Sequence, residues 1–156
     1  MPKIFNLKKF NVKRKNKNYS KHWIFKVTNV DDFKNSVEFK TWGICSKGTA
    51  AELFMKNVKP GNKLWFINKK KEIIGVCDYV NHNKRLFGPL INLTKTNEEL
   101  GWKNMNKVNI EIHYDNLIEI EDKNLKYHFD FISQVILNDY SCSHMNMDLE
   151  YKKLCS

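Results

Sequence analysis

The chain has 156 residues, 42% of them hydrophobic, which is close to ordinary globular composition and long enough for one domain with a substantial core. No apolar run approaches the roughly 18 residues that span a bilayer, and the opening MPKIFNLKKF has no continuous secretory core, which argues against an integral membrane protein. The net charge of +10 is unevenly spread: residues 1–21 carry eight bases and no acid, whereas the remainder carries 19 bases against 17 acids.

The first twenty residues therefore read as a basic flexible arm, with like charge concentrated at Lys8, Lys9, Lys13, Arg14, Lys15 and Lys17 and few aliphatic residues. Lysine outnumbers arginine 25 to 2 and there are 20 asparagines, so codon bias in an AT-rich genome accounts for part of the charge. The arm is either a polyanion-binding or address segment or a solvated extension. Residues 21–156 form the single domain.

The first regular element is HWIFKV, a strand with Trp23, Phe25 and Val27 on one face and His22, Ile24 and Lys26 on the other. Asn29, Asp31 and Asp32 open a short helix over DDFKNSV, before Phe39 and Trp42. Thr49-Ala50-Ala51-Glu52 is a capping-box pattern, and the helix it starts ends before Val58, because Pro60-Gly61 favours a turn. KLWFIN and EIIGVCDYV, joined through Lys69–Lys71, make the clearest hairpin in the chain. Asn81 through Pro89 reads as loop, and Thr96-Asn97-Glu98-Glu99 as a second helix cap ahead of Leu100-Gly101-Trp102. VNIEIHY alternates, with Val108, Ile110 and Ile112 opposite Asn109, Glu111 and His113; a turn at Asp115-Asn116 leads to LIEIE and a second hairpin. A helix around Phe129–Ile136 is followed by a polar tail. Short strands with inserted helices indicate an α/β or α+β domain built on a curved mixed sheet.

Trp23 and Trp65 alternate within strands and read as core. Trp42, in Lys40-Thr41-Trp42-Gly43, and Trp102, after Gly101, read as loop residues: either they pack at an edge, or they form facing walls of a pocket for a planar base.

These residues carry a resemblance. Phe25-Lys26 through Asp31-Asp32, then Ser36-Val37-Glu38-Phe39-Lys40-Thr41-Trp42, resembles the start of a YTH domain, with strand, short helix and cage tryptophan in that order. Pro60-Gly61-Asn62-Lys63-Leu64-Trp65-Phe66, with Ile74-Gly75-Val76-Cys77, is similar to the related EVE domain and the wider PUA-like superfamily. The likeness spans roughly residues 21–121. Asn83-Lys84-Arg85 and Gly88-Pro89-Leu90-Ile91 resemble a local signature of large DNA virus proteins.

The resemblance implies a barrel-like sheet flanked by helices and a nucleobase pocket in place of a reaction centre, since YTH domains hold N6-methyladenine in an aromatic cage. It implies Trp42 as the first wall, with Trp102 and Leu100 as candidates for the others. Lys26, Thr28, Asn29 and the Gly43 backbone would supply polar contacts. Lys69, Lys70, Lys71, Lys84 and Arg85 are candidate phosphate contacts. The implied function is a non-catalytic reader of RNA or DNA, without cofactor, in an intracellular setting such as the nucleus or a virion. The alternative is a structural or packaging protein that uses the fold as a scaffold, with protein partners in a particle.

Chemistry has little support. His113 and Glu111 share a strand face and read as a structural pair; adjacent acids alone do not define an acid/base site. No phosphate loop, nucleophile elbow or zinc-protease motif occurs. Cys45, Cys77, Cys142 and Cys155 lack a C-x-x-C pair, and Cys142-Ser143-His144 falls short of a metal site.

Overall fold

The computed structural model describes residues 21–45, 49–84, 98–99, 101, 108–120 and 142–155. The basic arm, Arg85, Leu100, Trp102 and the helix expected at 129–136 lie outside the described residues.

In chain order the elements are β1 (His22–Lys26), α1 (Val30–Phe39), β2 (Thr41–Ile44), α2 (Thr49–Asn57), β3 (Lys63–Ile67), β4 (Ile73–Lys84), β5 (Ile110–Glu119), β6 (Cys142–His144) and α3 (Asp148–Cys155). The six strands form one mixed sheet in the order β2-β5-β4-β3-β1-β6, with β1 and β3 parallel and the other pairs antiparallel. Trp42 of β2 and Phe66 of β3 are three strands apart, yet their rings lie 5.8 Å apart. A flat sheet would separate them by about 14 Å. The sheet therefore curls into a half-barrel: the sequence pattern predicts the curvature, and the barrel-like shape is what the resemblance implies.

Alternation along β1 explains the packing. Trp23, Phe25 and Val27 face the concave side with Leu64, Phe66, Cys77, Ile110, Ile112 and Phe54 of α2, all buried. On the convex side Ile24 meets Trp65, Ile67, Ile73 and Val76. That second layer is closed by Met147, which is fully buried, and by Tyr151 and Leu154 of α3. The expectation of a polar tail thus fails for residues 142–155. Cys142 and Met147 bury themselves on opposite faces of the sheet, and β6 pairs with β1.

Two further expectations change. Asp115-Asn116 is a bulge inside one continuous strand, not a hairpin turn: Asn116 takes φ 56, and β5 pairs with β4 on both sides of it. Asn81–Lys84, read as loop, extends β4, because Asn81, His82, Asn83 and Lys84 pair with His113, Ile112, Glu111 and Ile110. Pairing here overrides the low strand propensity of asparagine.

Candidate functional site

The residues singled out in the sequence fall into two groups. At the C-terminal ends of β1 and β3, joined by Val27 N–H to the Ile67 carbonyl at 2.7 Å, lie Lys26, Thr28, Asn29 and the turn carrying Lys69, Lys70 and Lys71. Asn68 builds that turn: its Oδ1 accepts from the amides of Lys70 and Glu72, and Lys71 takes φ 63. Lys69 and Lys70 are exposed. Asn29 is committed elsewhere than the expected pocket contact. Its Oδ1 caps α1, accepting from Asp31 N–H at 2.9 Å and Asp32 N–H at 3.3 Å.

Trp42, Gly43 and Lys84 belong to the other wing, β2-β5-β4. Trp42 is a strand residue and not a loop residue, and only 3% of its surface is exposed. Lys40 ends α1 in the left-handed conformation and leads straight into β2, so alternation sends Thr41 outward and Trp42 inward. There the indole packs edge-on against Phe33 at 6.2 Å and Phe66 at 5.8 Å. The open loop wall expected from the sequence is absent in this packing, because the strand directs the ring into the barrel. Gly43 is buried too. The Tyr114 N–H to Lys40 carbonyl bond fixes which β2 residues bond to β5, and by alternation the Gly43 N–H and C=O point toward the outer edge of β2.

Register sets Trp42, Ile112 and His82 in one row across β2, β5 and β4, and Ile44, Ile110 and Lys84 in the row two residues on. Cross-strand partners share a face, so His82 and Lys84 lie on the concave side with Trp42. A second bulge puts His82 there: between Tyr79 and Asn81 the register shifts by one residue, and Val80 is 43% exposed. Strict alternation from Cys77 and Tyr79 would have turned Asn81 inward and His82 outward. Sequence reading missed His82 because it placed Asn81 through Pro89 in a loop, and strict alternation would have turned the side chain the wrong way. Tyr79, two residues after buried Cys77, was recoverable from the alternation.

His82 is half-buried. Its Nδ1 lies 2.6 Å from the Tyr79 hydroxyl, and its ring is 6.0 Å from Phe54. Burial pushes the Tyr79 phenol above its ordinary pKa and the His82 imidazole below its own. Phe54 joins this corner to the core through edge contacts with Trp23, Phe25 and Tyr79. Trp23 in turn donates its indole N–H to Asn62.

The remaining polar groups are structural. His113 Nε2 meets Glu111 Oε1 at 2.7 Å on the convex face, as the strand pattern predicts, and Thr41 lies beside it. Burial raises the thiol pKa of Cys77 and pushes that of Cys142 up to about 12, so both stay protonated and poorly nucleophilic. Among the described residues no group of three or more His, Cys, Asp or Glu is placed to hold a metal, and no helix is long and apolar enough to cross a membrane.

No family model and no curated protein matches the sequence. Among solved structures, the fold is similar to the YTH domain-containing protein mmi1 in its RNA complex, at 11% identity over 86% of this chain and 78% of that one, with TM-score 0.53. It is similar to the Pho92 YTH domain in complex with m6A, at 12% identity over 85% and 81%, with TM-score 0.52. An ASCH protein from Zymomonas mobilis matches at 10% identity over 86% and 94%, with TM-score 0.48. The fold is thus an α+β half-barrel like that of these two YTH domains.

Proposed function

We propose that this half-barrel is a non-catalytic nucleic-acid-binding module whose concave face takes a modified adenine, N6-methyladenine or a base like it, against Trp42. One observation carries the reading. Trp42 shares a concave row with His82, beside Phe54 and Tyr79, in a fold shared with YTH domains solved with RNA and with m6A.

Energetics decide how such a site would work. Stacking a base on an indole contributes about 1–3 kcal/mol. Swinging Trp42 off Phe33 and Phe66 gives up its burial as well as two edge contacts and leaves a void, a cost of about 3–5 kcal/mol. Stacking alone does not offset that cost, so phosphate contacts and the rest of the site supply the difference. Lys84 lies on the same strand face as His82; Lys26 and Lys69–Lys71 serve a backbone passing the other end of the sheet. The basic arm adds salt-dependent attraction along the strand, RNA or DNA.

A second reading has its own observation. The near-complete burial of Trp42 suits a scaffold or packaging protein, such as a particle component, that binds nucleic acid or protein without a base pocket. Titrating the full chain with a short single-stranded RNA, with or without one N6-methyladenosine, separates the two. A reader prefers the methylated strand about fourfold, since one buried methyl contributes about 0.8 kcal/mol. That preference holds as salt rises while both affinities fall. Equal binding of the two strands at every salt concentration selects the scaffold.

A further inference from the structure

We infer that His82 is the polar reader of the concave face, donating its Nε2–H to an acceptor on the edge of a nucleobase, a ring nitrogen or a carbonyl oxygen. This rests on the base-binding reading above and assigns it a hydrogen bond.

The tautomer follows from the partners. The Tyr79 phenol is protonated and 6% exposed, and the one acceptor the described residues bring to its hydroxyl is His82 Nδ1, at 2.6 Å. A neutral imidazole that accepts at Nδ1 carries its proton on Nε2. That N–H has no partner among the described residues. Half-buried, it stands on the concave side in the Trp42 row. A single fixed donor among aromatic rings suits the in-plane edge of a heterocycle whose faces meet those rings. A phosphate is held best by a cation, and the rings beside His82, Phe54 and Tyr79, carry none; Lys84, two residues on along the same strand face, is the group placed for that role. The bulge at Val80 is what places the donor, so it acts as a positioning device.

The test uses the full chain and three single-stranded RNAs of equal length, bearing at the centre N6-methyladenosine, adenosine or an abasic site. The wild type is expected to prefer the two base-bearing strands. His82→Ala should shrink that preference about three- to tenfold, the usual worth of one hydrogen bond, and leave affinity for the abasic strand unchanged. His82→Gln, which keeps an N–H donor, should retain most of it. Tyr79→Phe removes one oxygen without opening a cavity and releases the tautomer, so it should lower the preference about twofold. An unchanged preference in His82→Ala overturns the inference, as does equal weakening on all three strands. If the wild type binds RNA without telling base from abasic site, the inference falls while general binding stands. If it binds none of the three, the proposed function falls first.

Discussion

Trp42→Ala is expected to destabilise the fold by about 3–5 kcal/mol, the range for truncating a large buried aromatic residue. The indole lies between Phe33 of α1 and Phe66 of β3, and so ties the helix to the far side of the curled sheet. Its removal leaves a void at the centre of the half-barrel, bounded by residues on three different elements that cannot all close in. Trp42→Phe retains a ring edge and should cost about 1–2 kcal/mol. Urea unfolding of the three proteins measures this. A loss under about 1 kcal/mol for the alanine variant would mean that the indole spends most of its time outside the core. The result also governs how binding variants are read: Trp42→Phe, not Trp42→Ala, is the variant that keeps binding separate from folding.

The second large effect concerns the convex layer. His22 is 3% exposed; its Nδ1 accepts from Trp65 Nε1–H at 2.9 Å, and its Nε2–H donates to Asp148 Oδ1 at 2.7 Å. The hydrogen bond from His22 holds the Asp148 carboxyl below the usual carboxylate range. His22→Ala removes the acceptor that Trp65 uses inside the protein, which costs about 1–3 kcal/mol, and opens space beneath Tyr151. The expected total is about 2–4 kcal/mol. Much of it should appear as release of α3, since Asp148 loses its anchor while Lys63 still lies over the Tyr151 ring at 4.5 Å. Tryptic cleavage after Lys152 and Lys153 should accelerate in this variant. Unchanged unfolding together with unchanged cleavage would show that α3 is held by its apolar contacts alone.

Much of the fold was legible in the chain. Period-two alternation in HWIFKV and KLWFIN assigns their buried faces, and Asn29 with Asp31-Asp32, and Pro60-Gly61, place the ends of two helices where they occur. What alternation cannot show is a bulge. One extra residue near Val80 and another near Asn116 leave no mark in composition, yet the first decides that His82 and not Asn81 faces inward. β6 and α3 were hidden because Cys142 in β6 and Met147 just ahead of α3 stand singly among polar residues, and α3 itself has no fully buried residue. Trp42 was misread as a loop residue because Gly43 looks like a turn, whereas at the edge of a sheet a glycine continues the strand. The candidate phosphate contacts split between two ends of the sheet because parallel pairing of β1 with β3 carries the Lys69–Lys71 turn toward Lys26 and away from Lys84, a long-range consequence with no local signal.

The most direct measurement follows the four tryptophan indole N–H signals by NMR while a short single-stranded RNA with one N6-methyladenosine is added to the full chain, assignments being made with single Trp→Phe variants. The account predicts that the Trp42 indole signal shifts strongly, as the ring leaves Phe33 and Phe66 to stack on the base, while Trp23 and Trp65 hold their positions. Binding that leaves the Trp42 signal where it was would contradict it.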